Sequence, residues 1–379
     1  MRASEAKNML DLAAWIALRG AGYVEPNPMV GCVLVREGRI IGMGHHRFYG
    51  GLHAEAEALA DAAGRGECAQ GATAYVTLEP CAHQGKQPPC VDALVQAGVT
   101  RVVCARHDPH PKGIDGAERL RAAGVQFEWC DESVNAVRLS DPFIKRVASG
   151  LPWTIVKWAQ TIDGRVATRT GESKWISCER SRRRVHRLRA RVDAIVTAVG
   201  TLLADDPVLT ARGGWKRRRI ARRVVIDPGL EISDSAMIVR TIDEAPLTIY
   251  CSDLALAQQQ RKSATLAAMG VEIIGVPGED GGEGEVGVDG VLRHLSETYD
   301  ATNVLIEAGP GLLGRLFEHN MVDEAHVYIA PMLLGDEQAK PAARGRVAER
   351  LADAKRFTLE RVRRIDDDVL MVYRATGQP

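Results

Sequence analysis

Residue types that bind metals recur at short spacing in the first quarter of the chain. His53 lies two residues before Glu55, and Cys81 and Cys90 follow with eight residues between them. Imidazole and thiolate groups are preferred zinc ligands, and a catalytic zinc keeps three protein ligands with a fourth position for water. His53, Cys81 and Cys90 satisfy that count, and Glu55 could lie beside the metal and carry protons. The pattern therefore predicts metal-assisted hydrolysis.

The order of these residues is similar to a known signature of zinc-dependent deaminases, His-x-Glu followed by Pro-Cys-x-x-Cys. Bound zinc lowers the pKa of its water to about 7, and Glu55 would take that proton and deliver it to the departing amine. The loop between the two cysteines is longer here, and its Lys86 suits an anionic group. A structural zinc site, or three unrelated buried residues, is the alternative interpretation; structural sites usually have four protein ligands.

Two further side chains are candidates for the same pocket. His45 and His46 are neighbours, and adjacent side chains on an extended strand point to opposite faces, so at most one can face the metal. We expect His46 to line the pocket. Asn27, in the rigid turn Pro26-Asn27-Pro28, offers an amide suited to the donor and acceptor edges of a base. The other cysteines of this half are expected to be inert thiols: Cys32, Cys68, Cys104 and Cys130.

An alternation of helix and strand patterns positions these residues. Predicted helices cover 1–20, 53–63, 89–97 and 117–123, and predicted strands cover 30–35, 40–41, 72–78, 102–105 and 125–129. His53 thus opens one helix, Cys81 follows a strand, and Cys90 lies at the entry to the next helix. Such alternation favours a sheet with helices packed on its faces.

Ser149-Gly150-Leu151-Pro152 breaks this pattern, and it predicts domains over 1–149 and 150–379. The second half is again α/β in pattern, without a metal cluster. Its predicted strands cover 153–158, 194–199, 224–226, 247–250, 271–274, 303–306, 325–329 and 369–373.

Three features of the second half carry candidate chemistry. Gly309 to Gly314 fits Gly-x-Gly-x-x-Gly between a strand and a helix, which is either a phosphate cradle or a turn. Asp205, after a strand pattern, is either a helix cap or a catalytic carboxylate. The run Arg180–Arg191 holds seven arginines. It is typical of a solvated helix face, although one or two arginines could grip a phosphomonoester; nucleic acid is less favoured because few aromatic residues interleave.

Composition excludes several classes of protein. The 379 residues carry 49 Lys+Arg and 49 Asp+Glu, and 45% are hydrophobic, which is typical of globular proteins and not of disordered, collagenous or coiled-coil chains. No run of 18 apolar residues is present, the N-terminus reads as an amphipathic helix and not a signal peptide, and eight cysteines are too few for a disulfide scaffold. Zero net charge favours a small phosphorylated substrate over a polyanion.

Longer motifs resemble a known family along nearly the whole chain. PNPMVGCVLV, HAEAEAL and TLEPCAHQGKQPPC resemble the deaminase half of the bifunctional riboflavin-biosynthesis deaminase–reductase, and LPWTIVKWAQTIDGRVAT, VGTLLADDPVLTAR and IEAGPGLLG resemble its reductase half. The resemblance covers roughly residues 5 to 375. It implies an N-terminal cytidine-deaminase-like αβα domain with a mixed central sheet, and a C-terminal α/β domain similar to dihydrofolate reductase.

The resemblance also implies ligands for each domain. The first domain would hold one zinc ion and deaminate a phosphoribosylaminopyrimidine, and the second would reduce the ribosyl group of the product with NADPH, with Asp205 supplying or steering the accompanying proton. Implied substrate contacts are Lys157, Ser173, Arg189, Leu209, Arg212 and Glu307; implied NADPH contacts are Ala159, Trp175, Thr201, Asp205, Gly309, Pro310, Gly311, Leu312, Leu313, Gly314 and Arg315. The partners would be small phosphorylated pyrimidines, with no nucleic acid or membrane, for a cytoplasmic homo-oligomer.

This sequence departs from the family pattern at Gly51-Leu52, His110, Pro228 and Ala308, none of them a predicted zinc ligand. Two other functions are considered. One is a nucleoside or transfer-RNA deaminase with an unrelated C-terminal domain, which the long spacing between Cys81 and Cys90 argues against. The other is a non-catalytic, zinc-stabilised pyrimidine-binding sensor, for which Glu55 beside an open metal position would have no use.

Overall fold

The chain forms two compact units in the computed structural model, residues 1–151 and 152–378. The structure describes residues 2–110, 115–213, 218–278, 282, 284–345 and 348–376. The predicted boundary between residues 149 and 150 lies two residues before this division. No helix in the described part of the chain has the length and hydropathy that crossing a bilayer requires.

The first unit is built around a five-stranded sheet. Its helices are α1 (Arg2–Ala17), α2 (Ala54–Gly64), α3 (Cys90–Gln96), α4 (Gly116–Ala122), α5 (Val134–Arg138) and α6 (Asp141–Ser149). Its strands are β1 (Gly31–Arg36), β2 (Arg39–His45), β3 (Thr73–Val76), β4 (Arg101–Cys104) and β5 (Gln126–Trp129). The strand order is β2-β1-β3-β4-β5; β1 runs antiparallel to both neighbours, whereas β3, β4 and β5 are parallel.

Helices cover both faces of this sheet, because side chains alternate along each strand. Cys32 and Leu34 of β1 pack in one core with α2, α3 and α4. Val33 and Val35 pack in the opposite core with α1 and α5. The predicted αβα sandwich with a mixed sheet is confirmed.

Small residues bring α2 close to the sheet. A Cβ atom at Gly44 of β2 would collide with the backbone of Ala54 and Ala58. Ala54 and Ala58 are themselves fully buried, so the helix lies directly on the strand. This close approach fixes the start of α2, which is where the predicted metal ligand and proton carrier lie.

The second unit carries a nine-stranded sheet and a small two-stranded sheet. Its helices are α7 (Glu179–Arg189), α8 (Val199–Asp205), α9 (Met237–Arg240), α10 (Asp253–Gln258), α11 (Gln260–Ala268), α12 (Val288–Tyr299) and α13 (Pro310–Glu318). Its strands are β6 (Trp153–Gln160), β7 (Arg165–Ala167), β8 (Ala194–Ala198), β9 (Arg222–Ile226), β10 (Leu247–Cys251), β11 (Glu272–Gly275), β12 (Asn303–Ile306), β13 (Glu324–Ile329), β14 (Lys340–Pro341), β15 (Phe357–Ile365) and β16 (Asp368–Ala375).

The large sheet is parallel through most of its width. Its strand order is β11-β10-β9-β8-β12-β6-β13-β16-β15, and only the last two strands run antiparallel to their neighbours. Two predictions need correction here. Strand β15 was not predicted, because its residues are charged and exposed on both faces. The loop conformation predicted for residues 309–315 is wrong, because the helix α13 already begins at Pro310; the predicted contacts of these residues with the cofactor stay a prediction.

Candidate functional sites

The three predicted metal ligands of the first unit lie together. His53 directly precedes α2 and Cys90 opens α3, whereas Cys81 lies in the loop five residues after the end of β3. His53 Nδ1 lies 3.5 Å from Cys81 Sγ and 3.3 Å from Cys90 Sγ. The three ligand atoms all lie within 4.8 Å of one another, which is the spacing that a single metal ion needs. No other group of this kind is found among the described residues.

The two thiols share protons unequally. The hydrogen bond from Cys90, with a contribution from His53, lowers the pKa of Cys81 to about 4. The contact with Cys81, together with burial, raises the pKa of Cys90. The Cys90 backbone N–H also donates to Cys81 Sγ over 3.4 Å. A thiolate is the form that binds metal, so the site already favours negative charge on sulfur.

This set of donors fits zinc. One imidazole and two thiols are the ligands of a three-coordinate protein site with a free fourth position, and all three are held by well-packed elements. Cys90 is 2% exposed, and Glu55 on the first turn of α2 is 3% exposed. Burial, and the neighbouring Cys81, raise the pKa of Glu55 to about 7. A buried carboxyl group with such a pKa can both accept and donate a proton near neutral pH.

His46 and Asn27 lie beside the metal ligands. The His46 and His53 rings meet edge to face with centroids 5.5 Å apart. His46 Nδ1 lies 2.9 Å from the Leu52 carbonyl, which can only accept, so Nδ1 carries the proton. Its Nε2 then accepts from Asn27 Nδ2 over 3.3 Å. The structure thus brings both predicted pocket residues together and selects His46 over His45 as the one that faces the ligands.

The long loop between the cysteines contacts the two residues that precede Gly51-Leu52, where the sequence departs from the family pattern. Lys86 Nζ lies 3.9 Å above the Tyr49 ring, and Gln87 Nε2 donates to the Gly50 carbonyl over 3.1 Å. Gly51 is buried and Leu52 is 42% exposed. The cation of Lys86 therefore lies over an exposed aromatic ring, where a substrate anion could compete for it.

One acidic residue of this unit was missed by the sequence analysis. Glu79 is buried, two residues before Cys81, and its Oε1 accepts from the Ala117 backbone N–H over 2.9 Å. Its Oε2 lies 3.3 Å from His107 Nδ1 and 3.4 Å from the Asp108 nitrogen. Glu79 therefore ties the segment carrying Cys81 to the first turn of α4 and to the loop that follows β4. The only signal in the sequence is an acidic residue directly before Pro80-Cys81.

In the second unit, three predicted substrate contacts form one charged cluster. Arg189 donates to Glu307 through Nε over 2.6 Å and through Nη2 over 3.1 Å, and Lys157 Nζ lies 3.8 Å from Glu307 Oε2. Burial would raise the pKa of Glu307, but Arg189 and Lys157 lower it to about 2. Burial lowers the pKa of Lys157. Two cations around one carboxylate leave a net positive charge, which suits an anion.

This cluster lies where open α/β sheets bind ligands. Glu307 directly follows β12, and the Thr197 hydroxyl of the neighbouring β8 donates to the Glu307 carbonyl over 2.8 Å. Lys157 is on β6, on the other side of β12. The carboxyl ends of adjacent parallel strands form the usual ligand crevice of such sheets.

The segment around Thr210 completes the cluster through its backbone. The Thr210 carbonyl accepts from Arg189 Nη1 over 3.3 Å and lies 3.2 Å from His186 Nδ1. The Arg212 backbone nitrogen also lies 3.2 Å from His186 Nδ1. Leu209 has a positive φ of 55° and a side chain buried in the core, so only its backbone could touch a ligand. Thr210 and His186 were not predicted, because a backbone carbonyl leaves no signal in residue type.

The predicted cofactor residues outside 309–315 lie in separate local contacts. Asp205 ends α8; its Oδ1 lies 3.4 Å from the Ser173 hydroxyl and 3.6 Å from Lys174 Nζ. The Thr201 hydroxyl accepts from the Gly309 backbone N–H over 3.0 Å. Trp175 is 67% exposed and lies under the Arg182 guanidinium, 4.3 Å away. Ala159 is partly buried against Tyr328 and its neighbours.

The segment 309–315 is a helix start and not the predicted loop. Gly309 caps α13, but Leu312, Leu313 and Gly314 are buried within the helix. Arg315 donates to the Val286 carbonyl over 2.8 Å. Pro310 has no N–H and the Gly309 N–H donates to Thr201, so the N–H groups of the first turn of α13 that remain for a phosphate are those of Gly311 and Leu312.

Known proteins match both units. Residues 3–106 match the family described as the zinc-binding region of cytidine and deoxycytidylate deaminases, and residues 152–371 match the RibD C-terminal domain. The riboflavin biosynthesis protein RibD of Aquifex aeolicus is 38% identical, over 87% of this chain and 88% of the relative. That of Escherichia coli is 37% identical, over 94% of this chain and 95% of the relative.

Solved structures agree along the whole chain. Acinetobacter baumannii RibD has a TM-score of 0.83 at 33% identity, over 99% of this chain and all of that one. A Thermotoga maritima diaminohydroxyphosphoribosylaminopyrimidine deaminase/5-amino-6-(5-phosphoribosylamino)uracil reductase has a TM-score of 0.83 at 30% identity, over 99% of this chain and all of that one.

The two folds and their sites define a bifunctional enzyme in which a deaminase domain precedes a reductase domain. Its activities belong to riboflavin biosynthesis. The chain belongs to the RibD family. The two other functions considered from the sequence, a nucleoside or transfer-RNA deaminase and a non-catalytic sensor, are not favoured.

Proposed function

We propose that residues 1–149 hydrolytically remove the 2-amino group of 2,5-diamino-6-(5-phosphoribosylamino)pyrimidin-4-one. One observation carries this proposal: the ligand atoms of His53, Cys81 and Cys90 lie within 4.8 Å of one another, next to the buried Glu55. The name of the Thermotoga maritima relative, which states this deaminase activity, supports the choice of substrate.

In this proposal His53, Cys81 and Cys90 hold zinc, which would lower the pKa of a bound water to about 7. The Glu55 carboxylate would accept a proton from the attacking water, whose oxygen bonds to the pyrimidine carbon, and would donate it to the amine, which leaves as ammonia. Asn27 hydrogen-bonds the pyrimidine edge, and His46 holds the Asn27 amide in place. Lys86 attracts the phosphate of the substrate at the pocket entrance.

We propose that residues 150–379 then reduce the ribosyl group of the deaminated product to a ribityl group. NADPH would supply the hydride in this step. Lys157 and Arg189, held by Glu307, bind the phosphoribosyl group together with the backbone of Leu209, with Arg212 and with Ser173. Asp205 carries the proton that accompanies the hydride, and Lys174 Nζ lies 3.6 Å from its Oδ1.

The remaining cofactor contacts belong to the same proposal. Thr201 offers a hydroxyl, and Gly311 and Leu312 in the first turn of α13 offer N–H groups, for the phosphates of NADPH, while Trp175 and Ala159 offer apolar surface. Gly309 and Pro310 fix the start of this helix, and Leu313, Gly314 and Arg315 hold it in place. Self-association of the chain, implied by the resemblance, is part of the same proposal. The cytoplasmic location implied by the resemblance is part of the proposal.

The test is one coupled assay on the full chain that follows ammonia release and NADPH oxidation together. Glu55→Gln should lower the rate of ammonia release by about 10²–10⁴-fold, which is the usual contribution of a general acid–base group. The same variant should keep zinc and should still oxidise NADPH when given the deaminated substrate. Glu57→Gln is the matched control, since Glu57 lies on the same helix and pairs with Arg47 over 2.7 Å.

Two results would contradict the proposal. Ammonia release that persists in Glu55→Gln at the wild-type rate would remove Glu55 from the mechanism. Failure of the wild-type chain to oxidise NADPH with the deaminated substrate, while it still releases ammonia, would remove the proposed reductase step and leave the deaminase step standing.

A further inference from the structure

The second unit contains a cavity of about 250 Å³ between α7 and β15. Its lining consists of one isoleucine and six arginines: Arg180, Arg183, Arg184, Arg187, Arg363, Arg364 and Ile365. Four of the arginines come from the arginine-rich run of α7, which the proposed function uses only through Arg189. This group of six, here called the arginine cavity, lies at the edge strand of the large sheet.

The helix α7 separates the arginine cavity from the reductase cluster. At roughly 100° per residue, Arg189 lies on the opposite side of the helix from Arg180. Arg180, Arg184 and Arg187 follow a spacing of four and three residues, so they form one stripe on the other side. Arg189 is bound to Glu307, whereas this stripe faces Arg363 and Arg364 of β15. The two sets of arginines therefore belong to different sites.

Carboxylates neutralise the cavity only in part. Arg180 pairs with Asp366 over 3.1 Å, and Arg364 pairs with Asp367 over 3.4 Å, both in the turn between β15 and β16. In the described portions of the chain, neither Arg183 nor Arg363 has a carboxylate within ion-pair distance. Burial, followed by the charges of Arg363, Arg187 and Arg361, lowers the pKa of Arg184. Cations held this close repel one another unless an anion joins them.

We propose that the arginine cavity binds the phosphate chain of a polyphosphate, either the free anion or that of a nucleotide. Guanidinium groups present planar donor pairs that match phosphate oxygens, and several of them can share one chain of phosphates. The volume is below the roughly 300–1,000 Å³ of pockets that enclose a drug-sized ligand. The phosphate chain alone therefore fits, with any nucleoside outside. This binding site is additional to the proposed function and does not depend on it.

Calorimetric titration of the full chain with sodium tripolyphosphate, ATP and inorganic phosphate tests the proposal. We expect one cavity-bound tripolyphosphate per chain, bound more tightly than phosphate. The variant R183Q/R363Q should weaken the affinity for tripolyphosphate at least about tenfold, because a hydrogen bond to a charged group contributes about 1.5–3 kcal/mol. Arg261→Gln is the matched control, an exposed arginine on α11 outside the cavity. Titrations with saturating NADPH keep phosphate sites of the reductase cleft out of the signal.

The comparison of anions identifies the source of the ligand. Equal affinity for tripolyphosphate and ATP would show that the phosphate chain alone is recognised, and tighter binding of ATP would assign the site to a nucleotide; both support the proposal. Unchanged catalytic rates in R183Q/R363Q would show that the variant is folded and that the cavity is separate from both active sites. Should the double variant unfold, Arg183→Gln alone, at an exposed helix position, replaces it.

Three results would overturn the proposal. The first is the absence of tripolyphosphate binding in the wild-type chain, including the case in which a second copy of the chain closes the cavity. The second is equal weakening by Arg261→Gln, since the binding would then follow net charge alone. The third is loss of binding in Lys157→Gln with R183Q/R363Q unaffected, which would assign the binding to the reductase cluster.

Discussion

The two candidate active sites are assembled in opposite ways. In the first unit the ligands lie between His53 and Cys90, and each opens a helix or follows a strand of one small sheet. In the second unit the charged cluster joins Lys157, Arg189 and Glu307, which come from distant parts of the chain. The first site is local in sequence, and the second exists only after the large sheet has formed.

The sites also differ in how they are stabilised without a ligand. The first gathers two thiols and an imidazole that share protons, so a metal ion is the partner that completes it. The second is already complete as an ion pair, because Glu307 accepts two hydrogen bonds from Arg189 and faces Lys157. Loss of one member should therefore cost the first site its metal, and should leave buried unpaired charges in the second.

The largest effect should come from Cys90→Ala. The variant keeps only two of the three ligands, so the chain should lose zinc and the rate of ammonia release should fall about 10³-fold or more, as several kcal/mol of metal assistance are lost. Reduction of the deaminated substrate should stay within twofold of wild type. Zinc content by atomic absorption, with both rates, checks this. Cys68→Ala is the control, since Cys68 is an exposed thiol of the same unit. Full zinc retention by Cys90→Ala would show that Cys90 is not a zinc ligand.

A smaller effect is expected from Glu307→Gln, which tests the other side of the comparison. The amide leaves Arg189 and Lys157 without their carboxylate, and breaking a buried pair costs about 3–5 kcal/mol of unfolding free energy. We expect that loss in urea unfolding of the second unit, and a fall of roughly 10²-fold in reductase kcat/KM as the cations lose their positions. Ammonia release should not change.

Glu272→Gln is the control for that prediction. Glu272 pairs with Arg222 over 2.9 Å at the sheet surface and is 43% exposed. An exposed pair contributes about 0–1 kcal/mol, so this variant should be nearly neutral. Equal losses in the two variants would show that the cluster at Glu307 has no special role.

The different construction of the sites explains how well each could be predicted. The metal-ligand group of the first unit could be predicted because residue type and spacing alone indicate its chemistry. The strand before Cys81 and the helices at His53 and Cys90 could be predicted from short local patterns. The αβα layering was predictable for the same reason, since β1 alternates between two cores.

The second site was visible only through resemblance to a family. Nothing in the local pattern joins Lys157 to Glu307, since the two meet through neighbouring strands of the large sheet. The Thr210 carbonyl, which accepts a hydrogen bond from Arg189, is a backbone group, so residue type could not predict its role. The polar strand β15 was not predicted because both of its faces are exposed, so that its sequence shows no alternation of apolar and polar residues. Gly309 to Gly314 was misplaced because a glycine pattern typical of loops here lies in a helix.

The smallest expected effect, from Asn27→Ala, tests whether the first site depends on more than its metal. Asn27 donates to His46 Nε2, so its carbonyl oxygen and second N–H remain directed by a histidine that is itself fixed by the Leu52 carbonyl. Loss of one neutral hydrogen bond to the pyrimidine costs about 0.5–1.5 kcal/mol, so the KM for deamination should rise about 2- to 13-fold. Zinc content and the reductase rate should stay at wild-type values. Asn135→Ala, which removes a surface hydrogen bond to Asp11 in the same unit, is the control. If the KM is unchanged while zinc is retained, Asn27 does not touch the substrate, and substrate selection in the first unit rests on the metal, Glu55 and Lys86.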